Sequence, residues 1–224
     1  KTNIQMKKIK NPSKYLGNEL RYLEKVLNSE NWSSTTGNWN QALEKKFSEK
    51  FNSEYAVALN SGTSTLHASL EAVGVNPGDE VLSPALTVIM DTTATIHANA
   101  VPVFVDIDPD TFTMDPDDLE KKITPKSKVI IVVSLYGLPA DMDKIMQIAR
   151  KYNLKVIEDG SHSIGSTYTH NDKKYICGDG IHADLCTFSF HPVKHITTGE
   201  GGAILTNDPD LYRKTFLLRK HGID

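Results

Sequence analysis

Cysteine is scarce in this sequence, with Cys177 and Cys186 the only two among 224 residues. They form no Cys-x-x-Cys pair, and no histidine stands at ligand spacing from either, which argues against a zinc site and a disulfide framework. Two buried, idle thiols are expected, and so little cysteine suits a reducing cytoplasm. No apolar run approaches the roughly 20 residues that a membrane helix needs. Neither sign of charge dominates: the net charge is -3, which points away from nucleic acid and acidic membrane surfaces as partners. Internal repeats and low-complexity tracts are absent. No Met opens the chain, so trimming at that end is expected. Residues 1–10 are polar and basic with no apolar segment behind them, unlike a signal peptide.

What is present is ordinary for a globular protein: 39% hydrophobic, 24% charged and 8% aromatic residues. The length supports one large domain or two small ones, with a core that needs no staples. Short β-branched runs alternate with helical patterns, which predicts an α/β fold with a largely parallel sheet. Leu20, Leu23 and Val26 or Leu27 give an amphipathic helix over 17–27. Residues 28–40, rich in Ser, Thr, Asn and Gly, read as a loop. Leu43, Phe47 and Phe51 recur at helical spacing. Strands are expected at 55–59, 81–82, 101–105, 129–133, 155–158, 185–190 and 203–206. The 129–133 run is apolar throughout, as a strand buried on both faces requires. A helix is expected over 65–72. Another carries Met142, Ile145, Met146 and Ala149 on one face, with Asn153 placed to end it.

Three segments carry candidate chemistry. Ser61-Gly62-Thr63 joins a strand to a helix, where free N–H groups and the helix dipole favour an anion such as phosphate. Taken alone, the same residues also fit an ordinary N-capped helix after a tight turn. Asp159 stands at the carboxyl end of a strand, the edge where open parallel sheets bind ligands. A carboxylate there can hold a protonated ring nitrogen and keep a pyridine ring electron-poor. His162, three residues on, can face the same ring. The alternative is a strand-end Asp capping a turn, with His162 solvated. Lys194 follows an apolar strand and precedes the run Thr197-Thr198-Gly199-Glu200-Gly201-Gly202. A lysine held against apolar walls has a lowered pKa, and its neutral amine can attack an aldehyde. A lone loop lysine is more often merely solvated. His191 and His195 flank it, but their spacing in a Pro-containing loop is poor evidence for a metal. Glu200 is expected to partner loop amides. The order of an anion-binding turn, a strand-end Asp, and a Ser189 ahead of a Lys is what a pyridoxal phosphate enzyme with a large α/β domain requires.

At these residues the chain resembles the DegT/StrS-type sugar aminotransferases, within fold type I of pyridoxal phosphate enzymes. The pieces that carry the resemblance are Asn60-Ser61-Gly62-Thr63-Ser64, Pro102-Val103-Phe104-Val105-Asp106, Glu158-Asp159-Gly160-Ser161-His162, and Phe188-Ser189-Phe190 through Lys194 to Gly199-Glu200-Gly201-Gly202. The resemblance implies a three-layer α/β/α large domain of the aspartate-aminotransferase type over residues 20–224, after an N-terminal arm at 1–19. It implies that Lys194 holds pyridoxal phosphate as a Schiff base and moves protons, and that Asp159 pairs with the pyridine nitrogen. His162 would contact the ring oxygen, and Gly62, Thr63 and Ser189 would hold the phosphate. The implied reaction moves an amino group from glutamate to a keto carbon of a nucleotide-linked sugar, in a cytoplasmic homodimer with shared active sites. A 4-keto-6-deoxy hexose is the sugar that the Lys194 segment suggests.

Three departures stand out. Val88 occupies the place where the family carries an aromatic to stack on the cofactor. Gly160-Ser161 replaces a pair of alanines. The chain ends at Asp224, where family members continue into a small domain, so a truncated protein is expected. The competing readings are another fold type I enzyme, a lyase or desulfurase, and a non-catalytic regulator on the same fold.

Overall fold

The computed structural model describes residues 17–31, 33–34, 37–170 and 172–223. Most of the expected arm, residues 1–16, therefore lies outside the described residues, as do Trp32, Thr35 and Thr36 of the expected loop and the final Asp224. The chain divides into two units, Lys1–Trp39 and Asn40–Asp224. In the first, helix α1 spans Glu19–Leu27. Its apolar stripe of Leu20, Leu23 and Leu27 is exposed.

The second unit is built on a sheet of seven strands. In chain order they are β1 (Tyr55–Leu59), β2 (Glu80–Pro84), β3 (Val101–Val105), β4 (Ser127–Val133), β5 (Lys155–Asp159), β8 (Leu185–Ser189) and β9 (Gly202–Thr206). The short strands β6 (Thr167–His170) and β7 (Lys173–Ile176) form a separate antiparallel hairpin. The large sheet runs β1-β9-β8-β5-β4-β2-β3. Its pairings are parallel from β3 through β8. Strand β9 runs antiparallel to both neighbours, so the sheet is mostly parallel, as expected.

Side chains alternate across a strand, and here both faces are covered. Val129, Ile131 and Val133 of β4 face Leu66 and Leu70 of α3 (Gly62–Ala72), Ala94 of α4 (Met90–His97) and Leu211 of α7 (Pro209–Arg219). Ile130 and Val132 face the other way, onto Leu119 of α5 (Pro116–Lys122) and Met142, Ile145 and Ala149 of α6 (Met142–Tyr152). That is the three-layer α/β/α arrangement. A satellite cluster packs Phe47 and Phe51 of α2 (Trp39–Phe51) on Phe188 and Phe190. Each such large apolar side chain contributes about 1.5–3 kcal/mol on full burial.

Helix ends follow local chemistry. Asp141 accepts from Lys144 N–H at 3.2 Å to cap α6, and Asn153 ends it in the left-handed region at φ 55°. Helices α4, α5 and α7 and the β6–β7 hairpin go beyond the elements expected from periodicity. Helix α3 also begins three residues earlier than expected, at Gly62. Ser61 is its N-cap, accepting from Ser64 N–H at 3.0 Å. No helix among the described residues is long and apolar enough to cross a membrane.

Candidate functional site

The carboxyl ends of the parallel strands meet at one edge of the sheet, and the predicted residues gather there. Gly62 and Thr63 form the first turn of α3, directly after β1. Asp159 is the last residue of β5 and is 3% exposed. Ser189 is the last residue of β8 and is buried. Lys194 and His162 sit in the loops that follow those two strands and are half-buried. An edge with free N–H groups, a buried carboxylate and an amine is equipped to hold an anionic, ring-bearing ligand.

Gly62 and Ser189 come together more tightly than the sequence indicates. A Cβ placed on Gly62 would lie 2.7 Å from Ser189 Cβ and 3.1 Å from its Oγ. The absent methyl group lets the first turn of α3 close on the end of β8. It also keeps backbone N–H groups and the Ser189 hydroxyl within one small cradle. Ser189 Oγ accepts from His191 N–H at 3.3 Å, which aims the hydroxyl along the Lys194 loop. That loop is closed on itself. Lys194 N–H donates to His191 O at 2.9 Å, and Phe190 O accepts from Thr197 Oγ1 at 2.8 Å and from Thr198 N–H at 3.1 Å. Gly201, at φ 157°, passes so close to Thr198 Oγ1 that a Cβ would meet it at 2.4 Å. Glu200 was expected among loop amides; its carboxylate instead lies 3.8 Å from His191 Nε2, with both side chains exposed.

Asp159 is fixed by Ser161 N–H, which donates to Oδ1 at 2.9 Å. Its peptide oxygen accepts from Ser134 N–H at 3.4 Å, tying it to the end of β4. Gly160 is required by packing, since a Cβ there would strike Phe188 Cε1 at 2.8 Å and Cys186 Sγ at 3.2 Å. The bulk of Phe188 thus accounts for glycine at position 160. Partial burial lowers the Lys194 pKa, with the charges of Asp159 and Asp91 opposing that shift. A lowered pKa increases the share of neutral amine available as a nucleophile. The His162 pKa is lowered as well, first by burial and then by the nearby Lys194 charge.

Two residues at this edge escaped the reading of the sequence. Tyr136, at φ 53° in a 3-10 turn after β4, stacks on His162 with ring centroids 5.8 Å apart and planes 18° apart. Its N–H faces His162 Nδ1 at 3.4 Å. Asp91, in the first turn of α4, is fully buried. An acidic residue in a first turn ordinarily signals only the helix dipole, so nothing local marked it. Both cysteines are free and buried. Burial pushes the Cys177 thiol up to about 12 and the Cys186 thiol well above its usual range, so neither is poised to react.

The sequence pattern of the DegT/DnrJ/EryC1/StrS aminotransferase family matches residues 15–224. A GDP-perosamine synthase of Caulobacter vibrioides is 45% identical over 208 residues, covering 93% of this chain and 54% of its own. Among solved structures, an aminotransferase from Psychrobacter cryohalolentis superposes with a TM-score of 0.87 at 37% identity. That match covers 94% of this chain and 52% of the other. The structure of NtdA from Bacillus subtilis, with bound cofactor PMP, gives a TM-score of 0.80 at 39% identity, covering 88% and 43%. The chain spans about half the length of the curated relatives it matches.

Proposed function

Because the chain belongs to the DegT/DnrJ/EryC1/StrS aminotransferase family, we propose that residues 20–224 form the large domain of a pyridoxal phosphate-dependent aminotransferase. It moves an amino group from glutamate to a keto carbon of a nucleotide-linked, 4-keto-6-deoxy sugar. Residues 1–19 serve as an arm, and the protein works in the cytoplasm as a homodimer with shared active sites. The observation that carries this reading is the cradle at the sheet edge, where Gly62, Ser189, Asp159 and Lys194 converge. The cofactor in the NtdA structure supports it, and the names of the perosamine synthases support a nucleotide-linked sugar.

The residues fit the cofactor. The space that a Gly62 Cβ would fill leaves Gly62 N–H, Thr63 and the Ser189 hydroxyl to hold its phosphate at a helix N-terminus. Asp159, buried and fixed by Ser161 N–H, would hold the ring nitrogen. His162, braced by Tyr136, would contact the ring oxygen. When bound, pyridoxal phosphate supplies an aldehyde that an amine can attack and a ring that draws electrons from the substrate carbon. Lys194 would be the residue that offers its amine to the cofactor aldehyde, and the same amine would hold or release a proton beside the substrate carbon. Its lowered pKa suits both tasks. Tyr136 is 84% exposed and can offer its ring to the sugar.

One spectrum tests the reading. Pyridoxal phosphate added to the full-length protein should give a visible absorption band through Lys194, and Lys194→Ala should abolish it. Glutamate should then bleach the band. A wild-type protein that shows no band would overturn the cofactor assignment, whereas bleaching by a different donor would overturn only glutamate.

A further inference from the structure

The backbone N–H of Tyr136 is used outside its own turn. Within the 3-10 turn after β4, Gly137 N–H donates to Ser134 O at 3.2 Å and Leu138 N–H to Leu135 O at 3.1 Å. Tyr136 N–H instead donates to His162 Nδ1 at 3.4 Å, across to the loop after β5. Tyr136 is held at φ 53° and ψ 20°. A residue with a Cβ keeps that left-handed conformation only when its surroundings enforce it.

Here they do. Ser134 N–H donates to Asp159 O at 3.4 Å on one side of Tyr136, and Ser166 Oγ donates to Gly137 O at 2.8 Å on the other. Gly137, at φ 88°, lies so near the second loop that a Cβ would meet His162 O at 3.2 Å. Two turn bonds shape that loop, Ser163 N–H to Gly160 O and Ser166 N–H to Ser163 O, each 2.9 Å. The Tyr136 ring stacks on the imidazole with planes 18° apart. The two loops are therefore tied together on both sides of a single N–H to Nδ1 contact.

We propose that Tyr136 is a positioning residue whose main-chain N–H fixes His162 as the neutral tautomer protonated at Nε2. A neutral imidazole has one donor nitrogen and one acceptor. A donor facing Nδ1 needs the lone pair there, so the proton sits on Nε2. Protonating the ring would set Nδ1–H against Tyr136 N–H, so the same contact opposes the imidazolium. The charged and titratable groups that reach the ring are Lys194, Asp159 and His195. Burial first and the Lys194 charge second lower the His162 pKa, with Asp159 opposing and His195 adding to the effect. The task of Nε2–H rests on the cofactor reading given above. A ring oxygen ionises more readily when it meets a fixed donor than when it meets a lone pair, and Nε2–H would be that donor.

Nitrogen-15 NMR of the full-length, cofactor-free protein tests this, with His162→Gln assigning the signals. At neutral pH, Nδ1 should show the shift of a bare nitrogen and Nε2 that of a protonated one. A proton on Nδ1 would overturn the proposal. Replacing Tyr136 by its hydroxy-acid analogue turns the N–H into an ester oxygen and leaves the ring in place. His162 should then protonate at a pH higher by up to about one unit, and an unchanged midpoint would overturn the proposal. Tyr136→Ala keeps the N–H and should keep Nδ1 bare; a proton there would assign the effect to the ring stack instead. A neutron structure of the wild type decides the matter should the ester protein fail to fold. Deuterium on Tyr136 N aimed at a bare Nδ1 supports the proposal, and deuterium on Nδ1 overturns it. With pyridoxal phosphate added, acid should abolish the visible band at a higher pH in the ester protein than in wild type. Equal midpoints would overturn the task given to Nε2–H. No band at any pH in wild type would overturn the cofactor reading itself, whichever way the cofactor-free spectra fall.

Discussion

Replacing Gly62 with alanine tests the cradle directly. The new methyl carbon would lie 2.7 Å from Ser189 Cβ and 3.3 Å from Ser189 Cα. Carbon atoms prefer about 3.5–4.0 Å, so the helix and strand ends must part by roughly 1 Å. Ser189 cannot yield easily. It is paired with Gly202 in the sheet, and its hydroxyl accepts from His191 N–H. Overpacking of this kind costs about 1–3 kcal/mol, and alanine returns up to about 1 kcal/mol of helix propensity. The net loss of up to about 2 kcal/mol corresponds to a fall in Tm of up to roughly 8 °C for a domain of this size.

Pyridoxal phosphate affinity should fall further. Moving Ser189 away from an anion forfeits a charge-assisted hydrogen bond worth about 1.5–3 kcal/mol. That is roughly a 10- to 100-fold rise in Kd. The assay is titration of the cofactor-free, full-length protein, followed by the visible band, beside a thermal melt. Adding Ser189→Gly removes the atom that the methyl group strikes, so the double variant should recover stability while its affinity stays weak. A Gly62→Ala protein that binds pyridoxal phosphate within about twofold of wild type would refute the argument that Gly62 shapes this site.

Other outcomes follow from buried groups and close contacts. Burial raises the Glu158 carboxyl to about 7, so its contribution to stability is fully present below its ordinary value near 4.5 and is lost as pH rises through 7. Glu158→Gln should therefore gain on wild type by up to about 3 kcal/mol more at pH 8.5 than at pH 5; urea unfolding at both pH values checks this, and a pH-independent difference would contradict it. Gly202→Ala brings a Cβ to 2.6 Å from Phe188 O and 2.7 Å from Ser61 O, both backbone atoms. No rotamer relieves such a clash, so a loss of about 3 kcal/mol is expected in thermal melts, and a loss under about 1 kcal/mol would count against the packing described. Asn153→Ala forces a Cβ-bearing residue to hold φ 55° without the local hydrogen bonding of Asn, at about 1 kcal/mol. Asn153→Gly should be neutral or stabilising in the same denaturant titration.

Much of the fold was legible because its signals are local. The apolar run of β4, the Met142-Ile145-Met146-Ala149 face of α6 and the Asn153 stop depend on neighbours a few residues apart. Helices α5 and α7 were legible too and were missed. Each has an Asp N-cap followed by Pro, at Asp115-Pro116 and Asp208-Pro209. Helix α4 was not legible. Its sequence, Met90-Asp91-Thr92-Thr93-Ala94-Thr95-Ile96-His97, carries no clean apolar stripe, and packing on α3 and β3 decides its state.

The candidate site divides along the same line. By itself the sequence determined which residues have the right chemistry, with Ser61-Gly62-Thr63, Asp159, Ser189 and Lys194 standing at strand ends where side-chain type and turn chemistry are local properties. Only the tertiary structure decided that Gly62 closes on Ser189, that Tyr136 stacks on His162, and that Asp91 is fully buried. Those relations join residues far apart in the chain. They arise because a parallel sheet gathers the carboxyl ends of its strands at one edge, where burial and neighbouring charge set what each group can do.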